Sequence, residues 1–162
     1  NSNIQYTDQD DLLSLFLQAA IEDAEQYTSS SVQERDVVIQ LKNWARFVDL
    51  PAVPLTTVTS VVYKDAAGVD QTLTADDDYE VLHNGYQMHF KQTDFPSLES
   101  GNRFPITITG KIGFSNADAV PSAIRSAILS KFSQKELYRE DSPVKGPERS
   151  FHAALRPFKR WV

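Results

Sequence analysis

The 162-residue chain contains no cysteine. That absence excludes disulfides, thiolate zinc sites and cysteine nucleophiles together, and it leaves the compartment open. Histidine is scarce as well, at three residues, His83, His89 and His152, too few for a histidine-only metal site. His83 and His89 flank Asn84-Gly85, and a carboxylate such as Asp77 would complete a metal site on paper. Strand histidines with exposed rings are the commoner outcome, so no metal or cofactor is expected. The six glycines are scattered, which leaves no phosphate-cradling loop. No serine sits in a Gly-x-Ser-x-Gly elbow or is matched to a His and an Asp in a suggestive frame. Asp76, Asp77 and Asp78 lack the alternating ligands, turn glycine and closing Glu of a calcium loop, so they read as a solvated turn. No residue pair is placed by spacing into a catalytic relation, and the chain is not expected to be an enzyme. Apolar runs fall short of the ~20 residues needed to span a bilayer, so no membrane role is expected.

What is present is a chain of ordinary globular composition, long enough to bury one sizeable core. Its charge is lopsided. Residues 1–130 carry 8 Lys/Arg against 18 Asp/Glu, a net of −10, whereas residues 131–162 carry 8 against 4, a net of +4. An acidic body does not attract a phosphate backbone at long range. A basic end on an acidic body fits docking to an acidic protein surface.

Hydrophobic periodicity divides the chain into three stretches. Leu12, Leu13, Phe16, Ala20, Ala24 and Tyr27 recur at spacings of three and four, predicting a helix over 8–27 with Thr7 or Asp8 as its cap. Period two then takes over. Val37, Ile39 and Leu41 mark one strand, Val58 to Tyr63 another, and Asp65-Ala66-Ala67-Gly68 a hairpin turn with Val69, Thr72 and Leu73 on the return. Asn84-Gly85 suits a type I′ turn, followed by Tyr86, Met88 and Phe90 on one face. Ile106, Ile108 and Ile112 make a further strand. A second helix is expected from Pro121, with Ile124, Ala127, Ile128 and Phe132 as its stripe. Ser142, Pro143, Gly146 and Pro147 then form a linker.

The expected fold class is α+β: two long amphipathic helices bracketing an antiparallel sheet or small sandwich of five to seven strands, with an extended C-terminal tail. The corresponding organisation is one helix–sheet–helix domain over 1–141 and a linker and tail over 142–162. That tail is the one feature above background, because aromatic and basic residues interleave from Phe151 to Trp161. Trp, Tyr and Arg are over-represented among the energetic anchors of interfaces. The same residues could instead fold back over the chain itself.

Taken in order, these segments resemble the phage head–tail connector, or adaptor, family. LLSLFLQAAIEDAEQYT (Leu12 to Thr28) is similar to its first long helix. PLTTVTSVVYKDAAGVDQTL (Pro54 to Leu73) with DDDYEV (Asp76 to Val81) is similar to the β insertion of its larger members. ITITGKIGF (Ile106 to Phe114) and DAVPSAIRSAILSKFSQKELYRE (Asp118 to Glu140) resemble the strand and helix that follow. ALRPFKRWV (Ala154 to Val162) resembles the family's Leu-x-Pro-Tyr-Arg-like ending, with Phe158 in the tyrosine position. Two departures stand out. Only Asn1 to Thr7 occupies the place of a short leading helix, which implies a truncated or processed start. Thr28-Ser29-Ser30 replaces a common Thr-Gly-Arg, so that turn must form without glycine.

The resemblance implies a structural protein of the virion neck, assembled in the bacterial cytoplasm. It implies a ring, commonly of twelve copies, beneath the portal protein, through which DNA passes without sequence-specific binding. The ring would carry a stopper or tail-completion protein. It also implies that the C-terminal segment reaches onto the portal, giving Phe151, Leu155, Arg156, Phe158, Lys159, Arg160 and Trp161 a docking role. Two other readings remain: a stopper or tail-terminator subunit, and a carbohydrate- or ligand-binding β module using Trp44, Tyr79 or Tyr86.

Overall fold

The α+β architecture expected from periodicity is present, in two compact units. The structure, a computed structural model, describes residues 5–137 and 148–160, with side chains described over 10–136 and 150–160. A helical unit is formed by Asn1–Val32 with Asn116–Val162, and a β unit by Gln33–Ser115.

In the β unit the alternating sequences become two antiparallel sheets. The larger has four strands in the order β1-β7-β3-β4, with β1 at Arg35–Leu41, β3 at Leu55–Lys64, β4 at Asp70–Leu73 and β7 at Ile106–Ile112. The smaller runs β2-β6-β5, with β2 at Phe47–Asp49, β5 at Tyr79–Leu82 and β6 at Gln87–Phe90. β7 is the strictest strand: Ile106, Ile108, Gly110 and Ile112 are buried, while Thr107, Thr109 and Lys111 between them are half-exposed. It lies between β1 and β3, pairing Ile39 with Ile108 on one side and Val61 with Ile108 on the other. The core gathers Ile39, Leu50, Leu55, Val61, Met88, Phe90 and Ile108, all nearly water-free.

β3 carries register irregularities between Leu55 and Thr57 and between Val58 and Ser60. Gly110 lies opposite this stretch, and a Cβ there would collide with the Thr57 carbonyl oxygen. The absent side chain is what lets the bulged strand close on β7.

The two turns differ in how far they follow expectation. At the β3–β4 turn the Asp65 carboxylate accepts the Ala67 and Val69 amides and the Gln71 side-chain amide, at 2.9, 3.0 and 2.8 Å. Those bonds, Gln71 first, hold its carboxyl below the ordinary carboxylate range. The Asn84-Gly85 turn is where the sequence puts it, but it is not a two-residue type I′ loop. Leu82↔Gln87 is the last strand pair, and His83, Asn84 and Gly85 all have positive φ (53°, 55° and 91°). An Asn-Gly pair signals two such residues; the third is His83, a residue type that is enriched in this region but rarely adopts it.

The helical unit contains α1 (Gln5–Thr28), α2 (Ser122–Leu137) and α3 (Glu148–Leu155). α1 begins at Gln5, ahead of Thr7 and Asp8, so neither caps it. Ala20, Ala24 and Thr28, four residues apart, form its fully buried row. Ile124, Ala127 and Ile128 do the same for α2, and the Arg125 amide donates to the Pro121 carbonyl, making Pro121 part of the first turn. α1 ends without glycine, as the sequence requires. Ser29 takes a positive φ of 54°, and the Ser30 amide reaches back to the Glu25 carbonyl at 3.3 Å, a Schellman-type closure. Among the described residues no helix is long and apolar enough to cross a membrane. The expected linker of Ser142, Pro143, Gly146 and Pro147 lies outside the described residues.

Candidate docking segment

The C-terminal stretch, for which the sequence suggests no regular element, is a helix followed by a single 3₁₀ turn, Arg156–Phe158. Pro157 has no amide to continue the α-helical ladder, and the chain leaves through Lys159 in an extended conformation. Phe151 and Leu155, one turn apart, face inward at 4% and 0% exposure. Arg156 is exposed, and Phe158, Lys159 and Arg160 are half-buried. Trp161 lies outside the described residues. The expected docking residues therefore form two groups, an apolar pair inside the helical unit and a basic and aromatic set at its surface.

The apolar pair and its neighbours meet the C-terminal end of α1. The Tyr27 ring lies 6.4 Å from that of Phe151, tilted by 57°, and stacks on His152 at 4.5 Å and 11°. Lys159 Nζ stands over the same ring, 5.1 Å from its centroid. One residue on, the Arg160 backbone N–H donates to the Thr28 carbonyl at 3.1 Å. That carbonyl is in the last turn of α1, where helix C=O groups lack intrahelical partners. Lys131 of α2 places its ammonium 5.2 Å over Phe151 and 3.9 Å from Asp23, and Lys135 pairs with Asp23 at 3.3 Å. The described part of the segment thus closes on the end of α1 at Tyr27 and Thr28, while Lys131 of α2 covers Phe151.

Tyr27, Thr28 and His152 are participants that residue-type reasoning passes over. Tyr27 reads as the last member of an apolar stripe, and His152 as a lone histidine. The available signal was the spacing of Phe151, Leu155 and Phe158, four then three, which is helical and requires a surface to bury against.

The other candidates fall elsewhere. His89 in β6 lies directly opposite Phe47 and Glu80 in its neighbouring strands. Its Nδ1 is 2.8 Å from Glu80 Oε1, and its ring stacks on Phe47 at 4.5 Å. The bond to His89, with Lys91 nearby, holds the Glu80 carboxyl below its ordinary value. His83 and Asp77 are exposed in separate turns, and no group of three or more His, Cys, Asp or Glu side chains converges among the described residues. Asp78 is a turn residue, its Oδ2 accepting the Thr74 amide at 2.7 Å. Of the aromatic residues that a sugar-binding module would use, Tyr79 is buried, Tyr86 is half-buried, and Trp44 packs on Tyr63, Phe90 and Phe95 with its indole N–H on the Pro96 carbonyl.

No family model and no curated protein matches this sequence. Solved structures do. A chain from the neck of the empty gene transfer agent particle, with C6 symmetry, superposes with a TM-score of 0.72 at 23% identity, covering 94% of this chain and 80% of that one. Its fold is that of a neck chain. A counterpart from the neck of the native particle, with C12 symmetry, gives 0.70 at 23% identity over 93% of this chain and 83% of that one. A chain from the virion of the native particle gives 0.72 at 22% identity over 100% of this chain and 85% of that one. These likenesses cover 93–100% of this chain, so the shared fold includes residues of both units.

Proposed function

We propose that this chain is a head–tail connector (adaptor) subunit of a tailed phage or phage-like particle. Copies form a ring beneath the portal, extend the DNA channel and offer a platform to the stopper or tail. The observation that carries this reading is the near-complete superposition on neck chains at TM-scores of 0.70–0.72. The C6 and C12 symmetry of two of those necks supports a ring, whose neighbouring subunits meet through heterologous, head-to-tail surfaces. The acidic balance of residues 1–130 suits a wall that repels passing DNA. Arg156, Phe158, Lys159, Arg160 and Trp161 dock on the portal, with Phe151 and Leu155 anchoring the helix that presents them. In this reading the domain proper ends near 141, and 142–162 is the segment that reaches the partner.

The test is co-assembly with the portal ring from the same particle, followed by mass measurement. The triple variant Arg156→Glu, Lys159→Glu, Arg160→Glu should stay folded and lose co-assembly. Undiminished binding would sink the docking assignment. A stopper or tail-terminator role predicts a different position, and electron microscopy of intact particles separates it: density directly against the portal supports the adaptor, density below another ring does not.

A further inference from the structure

We infer that Tyr27 is a latch that holds the basic C-terminal segment closed against α1 until a partner competes for it; this rests on the docking reading above. The geometry is a clasp around one ring. The His152 imidazole stacks at 4.5 Å, nearly parallel, and so occupies one face of Tyr27. The Lys159 ammonium also stands over that ring, 5.1 Å from its centroid. A cation on an aromatic face and a stacked ring pair are each favourable; the first is lost when the segment leaves, and the second, made from α3, holds the ring in place to receive the cation. The Arg160 amide on the Thr28 carbonyl closes the clasp at the backbone. Lys159, one of the cations assigned to the partner, is therefore already engaged by the chain's own Tyr27.

A closed segment lowers apparent affinity by the fraction of molecules that are open. Loosening the latch raises that fraction without altering the docking residues themselves. Tyr27 and His152 belong to the latch and not to the docking set, so they can be changed independently. His152 is exposed, which makes its substitution safe for folding.

The experiment measures hydrogen exchange at the Arg160 amide of the isolated chain, beside affinity for the portal ring, for the wild type and three variants. Tyr27→Leu and His152→Ala should speed exchange, Tyr27→Leu by about tenfold if ring and cation contacts together account for one decade. Tyr27→Phe, which keeps an aromatic face, should leave it near wild type. The same two loosened variants should bind the portal more tightly by a comparable factor. Unchanged exchange in both overturns the latch. Faster exchange with equal or weaker portal binding overturns its regulatory role. If even the wild type fails to bind the portal, the docking reading fails, while the exchange rates still decide whether the clasp exists.

Discussion

Arg160 donates its backbone N–H to the carbonyl of Thr28, joining the last described turn of the chain to the end of its first helix. The bond crosses the sequence almost from end to end, and around it gather Tyr27, Phe151, His152 and Lys159. The docking segment is thus also a structural part of the helical unit, and its residues divide by what their removal should do.

Phe151 and Leu155 are buried, so truncation leaves a cavity as well as lost burial. Phe151→Ala should cost about 3–5 kcal/mol and Leu155→Ala about 2–5 kcal/mol. Arg156→Ala, at an exposed position, should stay within about 0.5 kcal/mol of wild type. Urea denaturation of the three variants gives the comparison. Equal midpoints would mean that the segment does not pack as described.

Ser29 occupies a left-handed backbone position that favours glycine. Ser29→Gly should therefore stabilise the protein by roughly 0.5–1 kcal/mol, the relief of strain exceeding the entropy glycine adds to the unfolded chain. The midpoint of thermal unfolding should rise. A fall would show that the Ser29 side chain contributes more than its conformation costs.

Gly110 is the opposite case. Its conformation is unexceptional, but an added Cβ meets the Thr57 backbone oxygen. Gly110→Ala should destabilise by about 2 kcal/mol or more, since the obstacle is main chain and cannot swing aside. A denaturant midpoint matching wild type would contradict the close approach of β3 to β7.

Asp65 and Glu80 both have folded-state values below their ordinary 3.8 and 4.5. The unfolded chain then binds more protons in the window beneath those values, so stability rises with pH there. Their contribution is complete above the ordinary values and is lost as pH falls through the lowered ones. Asp65→Asn and Glu80→Gln should each flatten the decline in urea midpoint between pH 6 and pH 3, an acid range of roughly the ordinary carboxylate window. A variant with the full wild-type slope would show that its carboxylate takes no part.

The sequence conveyed the elements that carry their own periodicity. α1, β7 and the buried row of α2 follow from Ala20 and Ala24, from Ile106, Ile108 and Ile112, and from Ile124 and Ile128. Less legible was what depends on a distant partner. β2 is three residues, Phe47–Asp49, and is a strand only because β6 lies beside it. α3 is eight residues, below the length at which a helix persists alone, so its existence depends on the surface under Phe151 and Leu155. Likewise Tyr27 acquires its role only when residues 151–160 return to it. The candidate segment was half readable: composition singled out its basic and aromatic residues, but neither which of them face inward nor that Tyr27, Thr28 and His152 meet them.

The central place of β7 has a consequence for the order in which the protein can be made. β1 and β3 both wait for it, and its residues emerge from the ribosome about seventy and fifty positions after theirs, as the pairings Ile39↔Ile108 and Val61↔Ile108 require. Until then the β3–β4 hairpin and the β2-β6-β5 sheet can form, but the four-stranded sheet cannot. α1 waits longer still, since its helical partners begin at Ser122 and end at Leu155. A nascent chain therefore carries β1 unpaired until β7 at Ile106–Ile112 has emerged, and α1 uncovered until α2 and α3 follow. Non-local closure of this kind slows folding and prolongs exposure to neighbouring chains. For such a chain, slower translation prolongs the risk of aggregation rather than easing it.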